Sequence, residues 1–192
     1  MTFLILGLIL FLGTHSTRIV AAHWRDAMIV KLGANGWKGV LSVASLIGLI
    51  LIVVGYAAAR TEPVVLWSPP LWTRHAASLL TLGAFVLLAA AYIPSNRIKA
   101  AVGHPMVAGV KLWALAHLLA NGMLADVVLF GSILAWAIAD FIAARRRDRA
   151  AGVVYNSGAI PTVVTVLLGL ALWAAFAFWL HRVLIGVAPF GR

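Results

Sequence analysis

Six histidines are the residues of this sequence best suited to chemistry, and three of them lie inside apolar segments. His15, His75 and His117 occupy stretches with few other ionisable groups, and His104 precedes the proline that begins one such stretch. Neutral imidazole binds transition metals and serves as an axial ligand of haem iron. Ionisable residues inside lipid-spanning helices are costly, so they are functional candidates by default. The alternative for each histidine is a packing residue with a satisfied hydrogen bond.

Helical spacing separates the two histidines of the apolar stretch that begins at His104. At about 100° per residue, His117 shares a face with Trp113, whereas His104 points in nearly the opposite direction together with Lys111. We therefore do not expect these two histidines to bind one ion jointly. If His117 is a ligand, its partner comes from another helix.

Two cations are suited to an anionic partner such as a haem propionate. Lys111 lies in the middle of an apolar helix, where a charge costs at least about 2.5 kcal/mol, so we expect it to contact a propionate, a carboxylate such as Asp126 or Asp140, or water. An ordinary ion pair with Asp140 is the alternative. Arg18 lies one turn after His15, and its alternative role is an anchor in the headgroup region.

The composition is that of an integral membrane protein. The chain has 192 residues, of which 64% are hydrophobic and only 10% charged, whereas soluble domains contain about 25% charged residues. Its apolar runs of about twenty residues match a hydrocarbon core of about 30 Å. A soluble all-helical protein is disfavoured because several runs leave no polar face.

The absence of cysteine and the basic charge narrow the possible partners. With no cysteine, disulfides, thiolate ligands and cysteine-type zinc sites are excluded. Any metal or cofactor has to be held by histidine, methionine or oxygen ligands. The net charge of +10 is explained by basic loops beside a lipid bilayer, so we expect no nucleic-acid partner.

The apolar runs predict six transmembrane spans, over residues 2–22, 37–59, 71–93, 105–120, 123–144 and 161–180. We expect the first run to be a retained span, because no basic residue precedes it as in a signal peptide. The polar segment 23–36, which contains Gly33 and Gly36, is predicted to be a loop. Asn121–Gly122 predicts a tight turn that makes the fourth and fifth spans antiparallel neighbours.

Basic residues concentrate in alternate loops. The first, third and fifth loops carry Arg25, Lys31 and Lys38; Arg97 and Lys99; and Arg145, Arg146, Arg147 and Arg149. The tail adds His181, Arg182 and Arg192. Because basic loops face the cytoplasm, both termini should lie outside it. We expect one all-α domain over residues 1–192, a bundle of six transmembrane helices integral to a cell (inner) membrane.

Two motifs in this frame resemble a known family. They are His104-Pro-Met-Val-Ala-Gly with Lys-Leu-Trp-Ala-Leu-Ala-His117 and Asn121-Gly122, and the earlier Thr14-His15-Ser16. Both are similar to motifs of the NnrU family, which is named from denitrification gene clusters and is similar to plant zeta-carotene isomerase. The resemblance is strongest over residues 1–145.

The resemblance implies a haem protein. In the isomerase, haem b is held between two histidines and its reduced iron drives cis–trans isomerisation. His15 and His117 match those ligands, and His104 matches the histidine of the His-Pro motif. Ala114 stands where the isomerase has a cysteine involved in ligand exchange, so that switching chemistry is not implied. The expected function is redox or isomerase-like chemistry on a small apolar or gaseous substrate, linked to nitrogen-oxide metabolism.

The predicted spans also test the pairing of the two ligands. Counted from the span ends at about 1.5 Å per residue, His15 and His117 differ in depth by roughly 8 Å. Helix tilt or errors in the predicted span boundaries could account for that difference. If they do not, His75 on the third span becomes the better partner for His117.

Three other functions remain open at this stage. A proton-coupled transporter would use His117, Lys111 and Asp140, although no inverted repeat is evident. A membrane methyltransferase is disfavoured because Gly103 stands where its Arg-His-Pro motif has arginine. A non-catalytic accessory subunit would need its histidines only for packing. The sequence predicts no oligomeric state.

Overall fold

The structure is a computed structural model that describes residues 1–190. Arg192, the last basic residue of the tail, lies outside the described residues. In order, the elements are α1 (Thr2–Val20), α2 (Ala22–Ala59), α3 (Leu71–Tyr92), α4 (Arg97–Val102), α5 (Pro105–Ala120), α6 (Leu124–Ala150), α7 (Ala159–Ala175), a π-helical turn (Phe176–Leu180) and α8 (His181–Ile185). The chain is therefore all-helical over the described residues, as its composition predicted.

The long helices make this a multi-pass membrane protein. Among residues 1–190, five helices are long and apolar enough to cross a membrane, counting α7 and its continuation to Ile185 as one. α5, which was expected as the fourth span, has 16 residues and measures about 24 Å. The structure thus has five long helices and one shorter apolar helix where the sequence predicted six spans.

The prediction of a loop at residues 23–36 is wrong. That segment is the first part of α2, a helix of 38 residues that bends at Gly33, whose φ is +72°. Glycine adopts this conformation without the strain a side chain would bring, so α2 consists of two helical segments joined by a kink at Gly33. Trp24 and Trp37 contact edge to face across the bend, with ring centroids 5.5 Å apart.

The long helices pack side by side in a row, in the order α7–α3–α5–α6–α1–α2. α2 also touches α6, and α4 crosses one end of the row against α3, α5 and α7. We call this the basic end, because Arg97, Lys99 and the arginines of residues 145–149 lie there. The opposite end carries the segment 60–70 and the connection 121–123.

Small residues allow the close helix contacts of the row. A Cβ atom on Gly55 of α2 would overlap the backbone of Leu4 on α1. One on Gly109 of α5 would lie 2.9 Å from the carbonyl oxygen of Ala84 on α3. Because apolar burial drives association little in lipid, such close backbone packing is a main source of contact energy.

The opposite end is closed by backbone hydrogen bonds. Leu66 donates to the carbonyl of Gly122, and Leu124 donates to the carbonyl of Val64, each at 2.8 Å. Gly122 lies so close to the carbonyl of Trp67 that a side chain would not fit. The short connection 121–123 makes α5 and α6 antiparallel neighbours, as Asn121–Gly122 predicted.

Candidate functional site

His117 lies in the last turn of α5, half-buried among aromatic rings. Its imidazole centroid is 4.5 Å from that of Phe130 on α6 and 4.8 Å from that of Trp113, one turn earlier on its own helix. Trp113 and Phe130 also contact each other edge to face at 5.2 Å. The three rings form one cluster, so the orientation of the imidazole is fixed by packing on two sides.

The hydrogen bond of His117 decides which ring nitrogen is free. Nδ1 lies 2.9 Å from the carbonyl oxygen of Trp113. A carbonyl oxygen only accepts, so Nδ1 carries the hydrogen and the neutral ring keeps its lone pair on Nε2. Among the described residues no polar group bonds to that Nε2. A ligating histidine commonly has this arrangement, with one nitrogen anchored and the other directed at the metal.

His15 has the same internal arrangement on α1. Its Nδ1 lies 2.7 Å from the carbonyl oxygen of Phe11, one turn earlier, so Nε2 is again the unprotonated nitrogen. The ring is 4.4 Å from that of Phe11 and meets Trp136 of α6 edge to face at 6.0 Å. Unlike His117, His15 is exposed in the isolated chain.

The structure does not bring His15 and His117 into contact. Within the described chain α1 and α5 do not touch, because α6 lies between them in the row. His117 contacts α6 at Phe130, whereas His15 contacts it at Trp136. Those two positions are six residues apart, which corresponds to about 9 Å along the helix. The depth difference expected from the sequence is therefore present in the fold.

His75 and Arg18 both face outward. His75 lies in the second turn of α3 and is exposed, two residues from the buried Thr73 and Ala77 that mark the packed face of this helix. Arg18 lies in the last turn of α1, also exposed, and pairs with no carboxylate of the described residues. The ring contacts and the hydrogen bond of His117 are made with Trp113 and Phe130 and with neither of these side chains.

The ion pair of Lys111 with Asp140, which was the alternative considered for this lysine, is not formed among the described residues. The Nζ atom of Lys111 lies 3.5 Å from the ring centroid of Phe141, and Asp140 lies 3.8 Å from Arg147 on its own helix. Asp126, the other carboxylate considered, is 2% exposed and accepts a hydrogen bond from the Tyr56 hydroxyl. Lys111 therefore has an aromatic face as its partner and no carboxylate among the described residues.

His104 belongs to a separate polar group at the basic end. Its Nε2 lies 2.8 Å from a carboxylate oxygen of Asp148, and the hydroxyl of Tyr155 donates to the same oxygen at 2.7 Å. The hydrogen bond to Asp148 raises the pKa of the Tyr155 phenol. Arg145 packs against Gly103, whose φ is +80°. This group joins α5, α6 and the connection to α7, and it places Nε2 of His104 against a carboxylate.

An apolar groove of about 350 Å³ runs between α1 and α6. Leu8, Leu12 and Ser16 line it from α1, and Ser132 and Trp136 line it from α6. Trp136 is also the residue that contacts His15. The groove is open at the helix surface, and the Ser16 hydroxyl on its wall donates to the carbonyl of Leu12.

A protein-family match covers nearly the whole chain, including the site around His117. The sequence model of the family described as NnrU protein matches residues 3–189. The chain belongs to the NnrU family. No curated protein and no solved structure matches it. The match extends well beyond the region 1–145 in which the sequence resemblance was strongest, and it includes every histidine of this NnrU chain.

Two polar pairs of this NnrU chain were not found by sequence reasoning. Tyr56 and Asp126 meet at 2.5 Å between α2 and α6, and Asp126 also accepts the backbone N–H of Met123. A carboxylate in the first turn of an apolar span was the available signal for this pair. For Tyr155 and Asp148, which meet across a loop, the sequence carries no comparable signal.

The donor set of this NnrU chain fits a haem and does not fit a cluster-type metal site. Among residues 1–190 no three histidine or carboxylate side chains group to hold an ion. Haem iron needs only one or two imidazoles, since the porphyrin supplies its other four ligands. His117, with a free Nε2 and aromatic neighbours, meets that requirement.

Proposed function

We propose that this protein binds haem b within the membrane and that His117 is a ligand of its iron. The observation that supports the proposal is the state of His117, with Nδ1 bound to its own helix, Nε2 free and the ring held between Trp113 and Phe130. Haem iron would supply redox change at this site. The family match supports a link of this redox or isomerase-like chemistry to nitrogen-oxide metabolism.

The other residues of the site have distinct parts in this proposal. Trp113 and Phe130 fix the imidazole plane and exclude water from it. Lys111, whose amine lacks a carboxylate partner among the described residues, is suited to a propionate, and Arg18 is a second candidate. The groove between α1 and α6 would admit a small apolar or gaseous substrate. His15 is the second iron ligand that the resemblance supplies.

The transporter hypothesis has less support. It requires Lys111 and Asp140 to act together, but Asp140 lies beside Arg147 and Lys111 lies over Phe141. A carrier would also show substrate flux in liposomes without any haem absorption.

The test is haem content in the detergent-purified full chain. The pyridine haemochrome of the wild type should show haem b, and His117→Ala should lower the affinity for added hemin at least tenfold. His104→Ala and His23→Ala are matched controls, because His104 is occupied by Asp148 and His23 is exposed near the start of α2. Absence of haem from the wild type after hemin titration would overturn the proposal, as would unchanged affinity in His117→Ala.

A further inference from the structure

The carboxylate of Asp126 is a buried polar group that has no part in the haem proposal. It lies in the first turn of α6 and is 2% exposed. Its oxygens accept hydrogen bonds from the Tyr56 hydroxyl at 2.5 Å and from the backbone N–H of Met123 at 3.0 Å. Both partners are donors, which suits the ionised carboxylate because that form only accepts. The positive end of the helix dipole also stabilises a negative charge at this position.

A continuous set of contacts joins this carboxylate to His117. Phe130 follows Asp126 by one turn on α6, and residues four apart on a helix have Cβ atoms about 5–6 Å from each other. The ring centroid of Phe130 lies 6.4 Å from that of Tyr56 and 4.5 Å from that of the His117 imidazole. One aromatic ring therefore separates the charge from the imidazole, so the two lie about 10 Å apart.

Two cations could offset the charge of Asp126, and both are poorly placed to do so. The guanidinium of Arg60 lies 5.9 Å from the ring centroid of Tyr56, but its side chain is exposed. Solvent and salt screen an exposed charge much more than a buried one. Lys111 lies over Phe141, fifteen residues after Asp126 on α6, which is about 22 Å along the helix.

We infer that Asp126 is the fixed negative charge that sets the reduction potential of the iron held by His117. The inference rests on the haem proposal and gives a role to a residue that does not touch the iron. A nearby negative charge opposes the arrival of an electron, so it favours the ferric state and lowers the reduction potential. At about 10 Å and an effective dielectric constant of about 20, one charge changes that equilibrium roughly tenfold. Tyr56 is the positioning residue, because its hydroxyl fixes the carboxylate.

A redox titration of the hemin-loaded full chain in detergent, followed by its absorption spectrum, tests this role. Asp126→Asn should raise the midpoint potential by a tenfold change in the equilibrium constant, which is about 59 mV for one electron. The rise should persist at high salt, because a buried charge is screened little. Asp140→Asn is the matched control and should leave the potential unchanged, since Asp140 lies fourteen residues farther along α6, beside Arg147.

The double variant Tyr56→Phe/Asp126→Leu removes the charge and its side-chain donor together. Replacing both partners of a buried hydrogen bond by apolar groups of similar shape is nearly neutral for stability, so this variant should fold even where Asp126→Asn does not. It should show the same rise in potential, whereas Tyr56→Phe alone, which keeps the carboxylate, should shift the potential less. An unchanged potential in the Asp126 variants that bind hemin overturns the inference and leaves the haem proposal intact. A wild type that binds no hemin overturns both.

Discussion

The two ends of α5 each present a histidine, and the two are used differently. At the opposite end, His117 donates from Nδ1 to its own helix and keeps Nε2 free among aromatic rings. At the basic end, His104 places Nε2 against the carboxylate of Asp148, which also accepts from Tyr155. The same residue type thus keeps a nitrogen lone pair available at one end of α5 and contacts a carboxylate at the other end.

The comparison shows what distinguishes a candidate ligand from a structural histidine. A ligand needs an unprotonated nitrogen, a fixed ring plane and no competing acid nearby. His117 has all three, because its anchor is a backbone carbonyl and its neighbours are apolar. A carboxylate against Nε2, as at His104, takes the place that a metal ion would need.

The two ends also differ in how they are closed. Backbone hydrogen bonds and the buried Tyr56–Asp126 pair close the opposite end. Partly exposed charged side chains close the basic end. Losing one partner of a buried hydrogen bond costs more free energy of unfolding than losing one partner of an exposed charge pair. We therefore expect larger losses of stability from changes near His117 than from changes near His104.

Gly122→Ala should have the largest effect. Its Cβ would overlap the carbonyl of Trp67, so either the segment 60–70 or the connection 121–123 must move. Overpacking against backbone of this kind costs about 3 kcal/mol of the free energy of unfolding. Denaturant-induced unfolding of the detergent-purified protein measures the loss.

Gly131→Ala is the matched control for that substitution. Gly131 lies inside α6, and no atom would approach its Cβ within 4 Å. Since alanine favours helix over glycine, this variant should be neutral or more stable by up to about 1 kcal/mol. Equal losses in the two variants would show that the close approach to Trp67 does not hold the opposite end together.

Tyr56→Phe should have the next largest effect. It removes the hydroxyl that donates to Asp126, a side chain that is only 2% exposed. A hydrogen bond to a buried carboxylate contributes about 2 kcal/mol, so unfolding should become easier by that amount. Tyr92→Phe, on an exposed side chain, should change stability by less than about 0.5 kcal/mol. A Tyr56→Phe variant as stable as Tyr92→Phe would contradict the role of the pair.

The helix boundaries were largely predictable because apolar runs and capping residues are local signals. α5 begins at Pro105 and is followed by Asn121, as predicted. Proline suits the first turn of a helix, where its missing N–H is not needed. The helix over the first part of α2 was not predictable in this way, since polar residues are compatible with both a loop and a helix at the membrane surface.

The contacts between helices were less predictable, and the physical reason is register. Lys111 and Asp140 lie on antiparallel neighbours, but the sequence does not encode how far one slides along the other, and Arg147 reaches Asp140 instead. The π-helical turn Phe176–Leu180 was not predicted either, because a regular 3.6-residue period does not anticipate the added residue of such a turn.

Tyr155 tests the basic end with the smallest expected effect. The hydrogen bond to Asp148 raises the pKa of its phenol above the ordinary value of 10.0, while the charge of Arg145 acts weakly in the other direction. Because the folded-state pKa exceeds the unfolded one, the stabilisation from this bond is complete below the unfolded pKa and is lost as the pH rises through the folded value. The difference in ultraviolet absorbance between the wild type and Tyr155→Phe during an alkaline titration should therefore show a midpoint above pH 10. Asp148→Asn should move that midpoint back toward that of free tyrosine, and a midpoint unaffected by Asp148→Asn would show that the basic end is not held by this carboxylate.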